Sequence, residues 1–183
     1  TIFIFSGKTG AAFSFSVWQP IASLDVIRYG VSGNAIAVAT AGGLTVFDSA
    51  GAELWTTSGA EWVEDQNVKF TALDDINSDN ISDLAVLSPA RIAILKSLTA
   101  TDNYELHLAF NPEAGASIEY VELLPDANGE GVSDLAYIQR TPAVQQQGQY
   151  TPPGCPLLLV RSPVDGKELM RVTLPARSPA IDL

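Results

Sequence analysis

Asp75-Ile-Asn77-Ser-Asp79-Asn80-Ile81-Ser-Asp83-Leu84-Ala85 and Asp126-Ala-Asn128-Gly-Glu130-Gly131-Val132-Ser-Asp134-Leu135-Ala136 carry the same kinds of residue in the same order. Oxygen-bearing side chains stand at positions one, three, five and nine. Position six holds a residue that tolerates positive φ (Asn80, Gly131), and position seven an aliphatic one (Ile81, Val132). An alternating apolar stretch leads into each copy, Phe70 to Asp75 and Tyr120 to Asp126. Another, rich in Leu, Ala, Val and Ile, follows the Ser-Asp-Leu-Ala ending. Such short runs bounded by Asp, Asn and Gly read as strands joined by turns. The two copies open 51 residues apart (126 − 75).

Outward from these loops the chain is a series of hairpins. Thr1 to Phe15, Leu44 to Trp55 and Leu157 to Met170 each place two apolar runs around a Gly-bearing turn, and Arg91 to Leu108 is a looser copy. Helical periodicity is hard to find anywhere. A repeat of this length, ordered strand, acidic loop, strand, strand, turn, strand, predicts four-stranded antiparallel sheets of the kind that form propeller blades. The expected class is therefore an all-β fold of about three to four propeller blades. Residues 1–18 form part of one blade, 19–60 a second, 61–114 a third with an acidic loop and 115–175 a fourth with another. Residues 176–183 begin a further one. Because a propeller protects its edges by closing its ring, the chain is expected to be a portion of a larger propeller, unless it closes as a small one or against a second copy. Arg140 to Pro156, with Gln145-Gln-Gln-Gly-Gln149 and Pro152-Pro-Gly154, predicts a mobile polar loop between strands, which could bind a partner.

The acidic loops carry the chemistry. A hard cation takes six to eight oxygens at about 2.3–2.6 Å, and a tight loop turns alternate side chains inward to supply them. The aliphatic residue at position seven offers its carbonyl while its side chain enters the core. An EF-hand would need a Glu at position twelve, where these loops have Val86 and Tyr137. At these residues the chain resembles the FG-GAP, or integrin α-subunit-like, β-propeller repeats. The resemblance implies a calcium ion held by Asp75, Asn77, Asp79, the Ile81 carbonyl and Asp83. It implies a second held by Asp126, Asn128, Glu130, the Val132 carbonyl and Asp134. Asn80 stands where that family usually has Gly, Glu130 where it has Asp, and the Phe-Gly and Gly-Ala-Pro signatures are not legible. The hairpins at Ser6-Gly-Lys-Thr-Gly10 and Val164-Asp-Gly-Lys-Glu-Leu169 look more like those of quinone-dependent propellers.

The remaining residues narrow the function classes. The net charge of −11 from 10 basic and 21 acidic side chains argues against nucleic acid, whose affinity comes from Lys and Arg on phosphates. No apolar run is long enough to cross a bilayer as a helix. Cys155 is the single cysteine, so no internal disulfide and no cysteine-based zinc site is possible. His107, the single histidine, lies in the alternating run Glu105 to Phe110 and reads as a strand residue, leaving no base for a Ser-His-Asp device. The Gly-Lys-Thr tripeptide lacks the upstream glycine of a phosphate loop. Trp18, Trp55 and Trp62 read as packing residues, and the sequon Asn80-Ile-Ser82 falls inside a metal loop.

The expected function is a non-catalytic, calcium-binding module for adhesion, presenting loops to a protein or glycan partner outside the cytoplasm: in the extracellular space, on the cell surface or in the secretory lumen or periplasm. Extracellular calcium modules bind with dissociation constants of roughly 10⁻⁴–10⁻³ M, which only those compartments fill. Two other readings stay open on the sequence. One is a portion of a propeller enzyme, a polysaccharide lyase or a quinone-dependent dehydrogenase. The other is a self-assembling scaffold whose blade edges pair between copies.

Overall fold

The computed structural model describes residues 1–5, 12–29, 33–40, 43–58, 69–98, 103–141, 144–146, 149–151 and 154–175. Among them every regular element is a strand. Strands β1 (Ile2–Phe5) and β2 (Ala12–Phe15) pair as an antiparallel hairpin. A four-stranded sheet follows in chain order: β3 (Ile21–Tyr29), β4 (Gly33–Thr40), β5 (Gly43–Phe47) and β6 (Glu53–Ser58). The next is β7 (Lys69–Ala72), β8 (Leu84–Ser88), β9 (Arg91–Leu98) and β10 (Asn103–Phe110). The last four-stranded sheet joins β11 (Ser117–Leu124) and β12 (Asp134–Arg140) to two later strands. Between them a short hairpin intervenes, β13 (Val144–Gln146) with β14 (Gln149–Thr151). The sheet then resumes with β15 (Leu157–Arg161) and β16 (Glu168–Thr173). The chain is thus an all-β protein of several four-stranded antiparallel sheets, two built from consecutive strands and the last with the β13–β14 hairpin inserted between its second and third strands.

Two compact units divide it. One comprises Thr1–Leu87 with Ala93–His107, the other Ser88–Ile92 with Leu108–Leu183. In the first, β4 is buried on both faces. Its small residues Ala35, Ala37 and Ala39 join a core with Leu44, Val46, Trp55, Phe70, Leu84, Val86 and Leu95. Ile36 and Val38, on the opposite face as the strand's period of two requires, pack with Ile2, Ile4, Phe15 and Phe47 of other strands and with Val17 just past β2. Strand β3 lies beside β7 through its polar side chains. The Asp25 carboxylate accepts from Ala72 N–H at 2.9 Å, and the Ser23 hydroxyl from Phe70 N–H at 3.3 Å. In the second unit Leu135, Tyr137 and Leu159 are buried at the centre of the sheet, and the Phe110 and Tyr137 rings stack 6.4 Å apart.

Two expectations change here. The segment after Arg140 contains the β13–β14 hairpin where a loop was expected, Val144 to Gln146 pairing antiparallel with Gln149 to Thr151. Trp18 does not pack, being 96% exposed, whereas Trp55 is buried against the Tyr104 ring at 5.0 Å. The structure describes neither Trp62, nor the Gly-Lys-Thr turn, nor residues 176–183.

On the surface of the second unit, Glu168 accepts hydrogen bonds from Arg171 at 2.7 and 2.8 Å and from Arg161 at 3.0 Å. The Arg171 bonds, more than any other cause, hold its carboxyl below the usual glutamate range. A carboxyl depressed in the folded state adds stability above its unfolded pKa, and that stability fades as pH falls through the folded value. We therefore expect Glu168→Gln to lower stability at pH 7 by no more than about 1 kcal/mol, the usual ceiling for exposed pairs. The deficit should vanish at pH 2–3. Chemical denaturation at the two pH values would check this, and a deficit unchanged at low pH would be at odds with it.

Candidate metal centre

Both acidic loops join the first and second strands of a sheet, β7 to β8 and β11 to β12, at matching places. Each is wound around the carboxylate at its first position. Asp75 accepts from the N–H groups of Asp79 (3.0 Å) and Asn80 (2.6 Å). Asp126 accepts from Asn128 (3.1 Å), Gly129 (2.6 Å), Glu130 (3.2 Å) and Gly131 (2.6 Å). These amides, Gly131 foremost, hold the Asp126 carboxyl below the ordinary aspartate range. At the ninth position the two loops again agree. Asp83 and Asp134 are fully buried and turned back on their own loops, where each accepts from the N–H at position two, Ile76 at 2.6 Å and Ala127 at 2.8 Å. Ile81 and Val132 bury their side chains.

The backbone explains the residue choice. Positions four and six take positive φ in both copies, Ser78 (62°) and Asn80 (68°) in one, Gly129 (82°) and Gly131 (87°) in the other. Position six was legible in the sequence and position four was not. Only glycine adopts this conformation without steric cost, which for other L-residues is about 1–2 kcal/mol.

Sequence reasoning missed one further residue beside each loop. The Ser97 hydroxyl, at the end of β9, donates to Asp79 at 2.7 Å, and the Ser162 hydroxyl, just past β15, donates to Glu130. Both serines are fully or almost fully buried. Each bridges the sheet's third strand to the fifth position of the loop.

The partners of the ninth position differ. Asp83 Oδ1 accepts from the Ser97 N–H at 2.7 Å and its hydroxyl at 3.3 Å. Burial still pushes the Asp83 carboxyl above the ordinary range, the bonds from Ser97 and Ile76 working against it. Asp134 Oδ1 is buried with no hydrogen-bond partner. A buried carboxylate oxygen left in this state is costly unless an ion compensates it. Among the described residues no three Asp, Glu, His or Cys side chains converge as a ready metal cluster. The expected donor set relies on an amide oxygen and a carbonyl as well as carboxylates, and like charges without an ion do not draw together.

No protein-family profile matches the chain, and no curated protein matches it. The likeness to FG-GAP repeats therefore stands on the residues of the two loops. No helix among the described residues is long and apolar enough to cross a membrane.

Proposed function

We propose that this chain is a non-catalytic, calcium-binding module of β-propeller blades that acts outside the cytoplasm and presents its loops to a protein or glycan partner. One observation carries the calcium part: Asp134 Oδ1, buried, unpartnered and belonging to a carboxylate turned into an oxygen-rich loop. With Asp126, Asn128, Glu130 and the Val132 carbonyl, it makes an all-oxygen donor set of the kind a hard cation requires. Bound calcium supplies positive charge that offsets the repulsion among Asp126, Glu130 and Asp134. The chain's own groups do the rest. Amides fix Asp126, Ser162 holds Glu130, and Ala127 fixes Asp134. Loop 75–83 offers the corresponding residues Asp75, Asn77, Asp79, Ile81 and Asp83. The propeller reading draws support from three successive four-stranded sheets in chain order, and the location from the weak affinity of extracellular calcium sites.

Binding the folded state alone stabilises it by mass action. At 10 mM calcium and the dissociation constants of such sites, the gain is about 1.4–2.7 kcal/mol. For a chain of this size that is roughly 3–10 °C in melting temperature. Thermal unfolding in 10 mM calcium chloride and in EDTA tests the reading, with magnesium, which demands a tighter octahedral shell, expected to do less. Identical melting in calcium and in chelator would overturn it.

A further inference from the structure

The two loops share a sequence pattern but differ in what holds them. Loop 75–83 is clasped by the rest of its unit. The Arg28 guanidinium donates to the Asn80 side chain, and the Arg28 backbone exchanges two bonds with Ser82, its N–H to the Ser82 hydroxyl at 3.0 Å and its carbonyl from the Ser82 N–H at 2.8 Å. Tyr104 donates its hydroxyl to the Ser82 carbonyl at 3.0 Å. Ser97 satisfies both Asp79 and the inner oxygen of Asp83.

The amide of Asn77 decides the matter. Its Nδ2 donates to the Ser97 carbonyl at 2.7 Å and to Asp79 at 3.2 Å. A carbonyl can only accept, so this contact fixes the NH₂ end toward the loop's carboxylate. Turning the amide over to ligate a cation would set two oxygens against each other. In loop 126–134 the corresponding Asn128 presents its oxygen instead, accepting from Glu130 N–H at 3.2 Å. Residues 125–131 are exposed, and the Ser162 hydroxyl reaches them from another element, donating to Glu130.

We infer that loop 126–134 alone takes the cation, while loop 75–83 is a metal-independent copy in which Asn77, Ser97 and Arg28 do what the ion does in the other. The inference rests on the calcium reading and narrows it to one site. In loop 75–83 hydrogens donated by Asn77 and Ser97 satisfy Asp79 and the inner oxygen of Asp83. In loop 126–134 Asp134 Oδ1 has no such donor. The cation is a hard divalent ion, calcium by the loop's all-oxygen set.

Calcium chloride titrated into the chelator-treated whole chain by calorimetry, with amide hydrogen exchange at matched conditions, tests this. One ion per chain is expected. Calcium should slow exchange at Ala127, Gly129 and Gly131 about tenfold or more and leave Ile76, Asp79 and Asn80 unchanged. Asp134→Asn should abolish the heat of binding, and Asp83→Asn should leave it. Two ions, or equal slowing at both loops, would overturn the inference while leaving the calcium reading intact. An ion at loop 75–83 alone would do the same. No heat and no slowing at either loop would remove the calcium reading, and the inference with it.

Discussion

Asp83→Ala is expected to destabilise the protein by about 2–5 kcal/mol, with or without calcium. The carboxylate is fully buried and accepts from the N–H groups of Ile76 and Ser97, at 2.6 and 2.7 Å, and from the Ser97 hydroxyl. Removing it strands two amide donors, each at about 1–3 kcal/mol when buried without a partner. Part of that loss is offset, because the burial that pushes the Asp83 carboxyl upward is itself a penalty on the charged form. Asp83→Asn should fall between wild type and Ala, since one amide oxygen replaces two carboxylate oxygens as acceptor. The matching change at the other loop has a different sign of evidence. Asp134→Asn removes a charge whose second oxygen has no partner, so in chelator it should cost little or even stabilise, and its cost should appear once calcium is added. Urea denaturation of the four combinations measures this. Equal costs for Asp83→Asn and Asp134→Asn in EDTA would contradict the assignment of hydrogen bonds to one loop and an ion to the other.

Much of the architecture was legible because each level of the sequence agreed with the next. Alternating runs marked strands such as β8 and β12. The acidic loops, 51 residues apart (126 − 75), marked equivalent places in successive sheets, and the aliphatic seventh residues were read as core and are buried. What escaped the reading is non-local. Ser97 follows Asp83 by 14 residues, but Ser162 follows Asp134 by 28 (162 − 134), since the β13–β14 hairpin is inserted between β12 and β15. That insertion hides the shared role of the two serines from any search at fixed spacing. It becomes plain only through pairing: Leu135 faces Arg161, which brings the next residue, Ser162, level with Asp134. The direction of the Asn77 amide was equally invisible, because it is set by a carbonyl 20 residues away. Trp18 shows the reverse error. Bulk alone does not bury a side chain that lies in the turn ahead of a strand, outside its alternation.

The second large effect is expected at Tyr104, where the core of the first unit meets its acidic loop. The ring is buried and tilted at 58° against Trp55, 5.0 Å between centroids. Its hydroxyl donates to the Ser82 carbonyl at 3.0 Å. Burial, aided by the nearby Asp83 carboxylate, pushes the phenol above its ordinary range, so it stays a neutral donor across physiological pH. Tyr104→Ala should cost about 3–5 kcal/mol, the range for emptying a buried aromatic site. Tyr104→Phe retains the packing and loses one hydrogen bond, for about 0.5–1.5 kcal/mol. The difference between the two variants separates the ring's packing from its grip on the loop. Hydrogen exchange adds the local readout. In Tyr104→Phe the amides of loop 75–83 should exchange faster while those of β4 and β5 keep their protection, because the ring still fills the space beside Trp55. Were Tyr104→Phe to destabilise the whole unit as much as Tyr104→Ala, the hydroxyl would be holding the core and not the loop. The grip on loop 75–83 would then have to be sought in Arg28, Asn77 and Ser97.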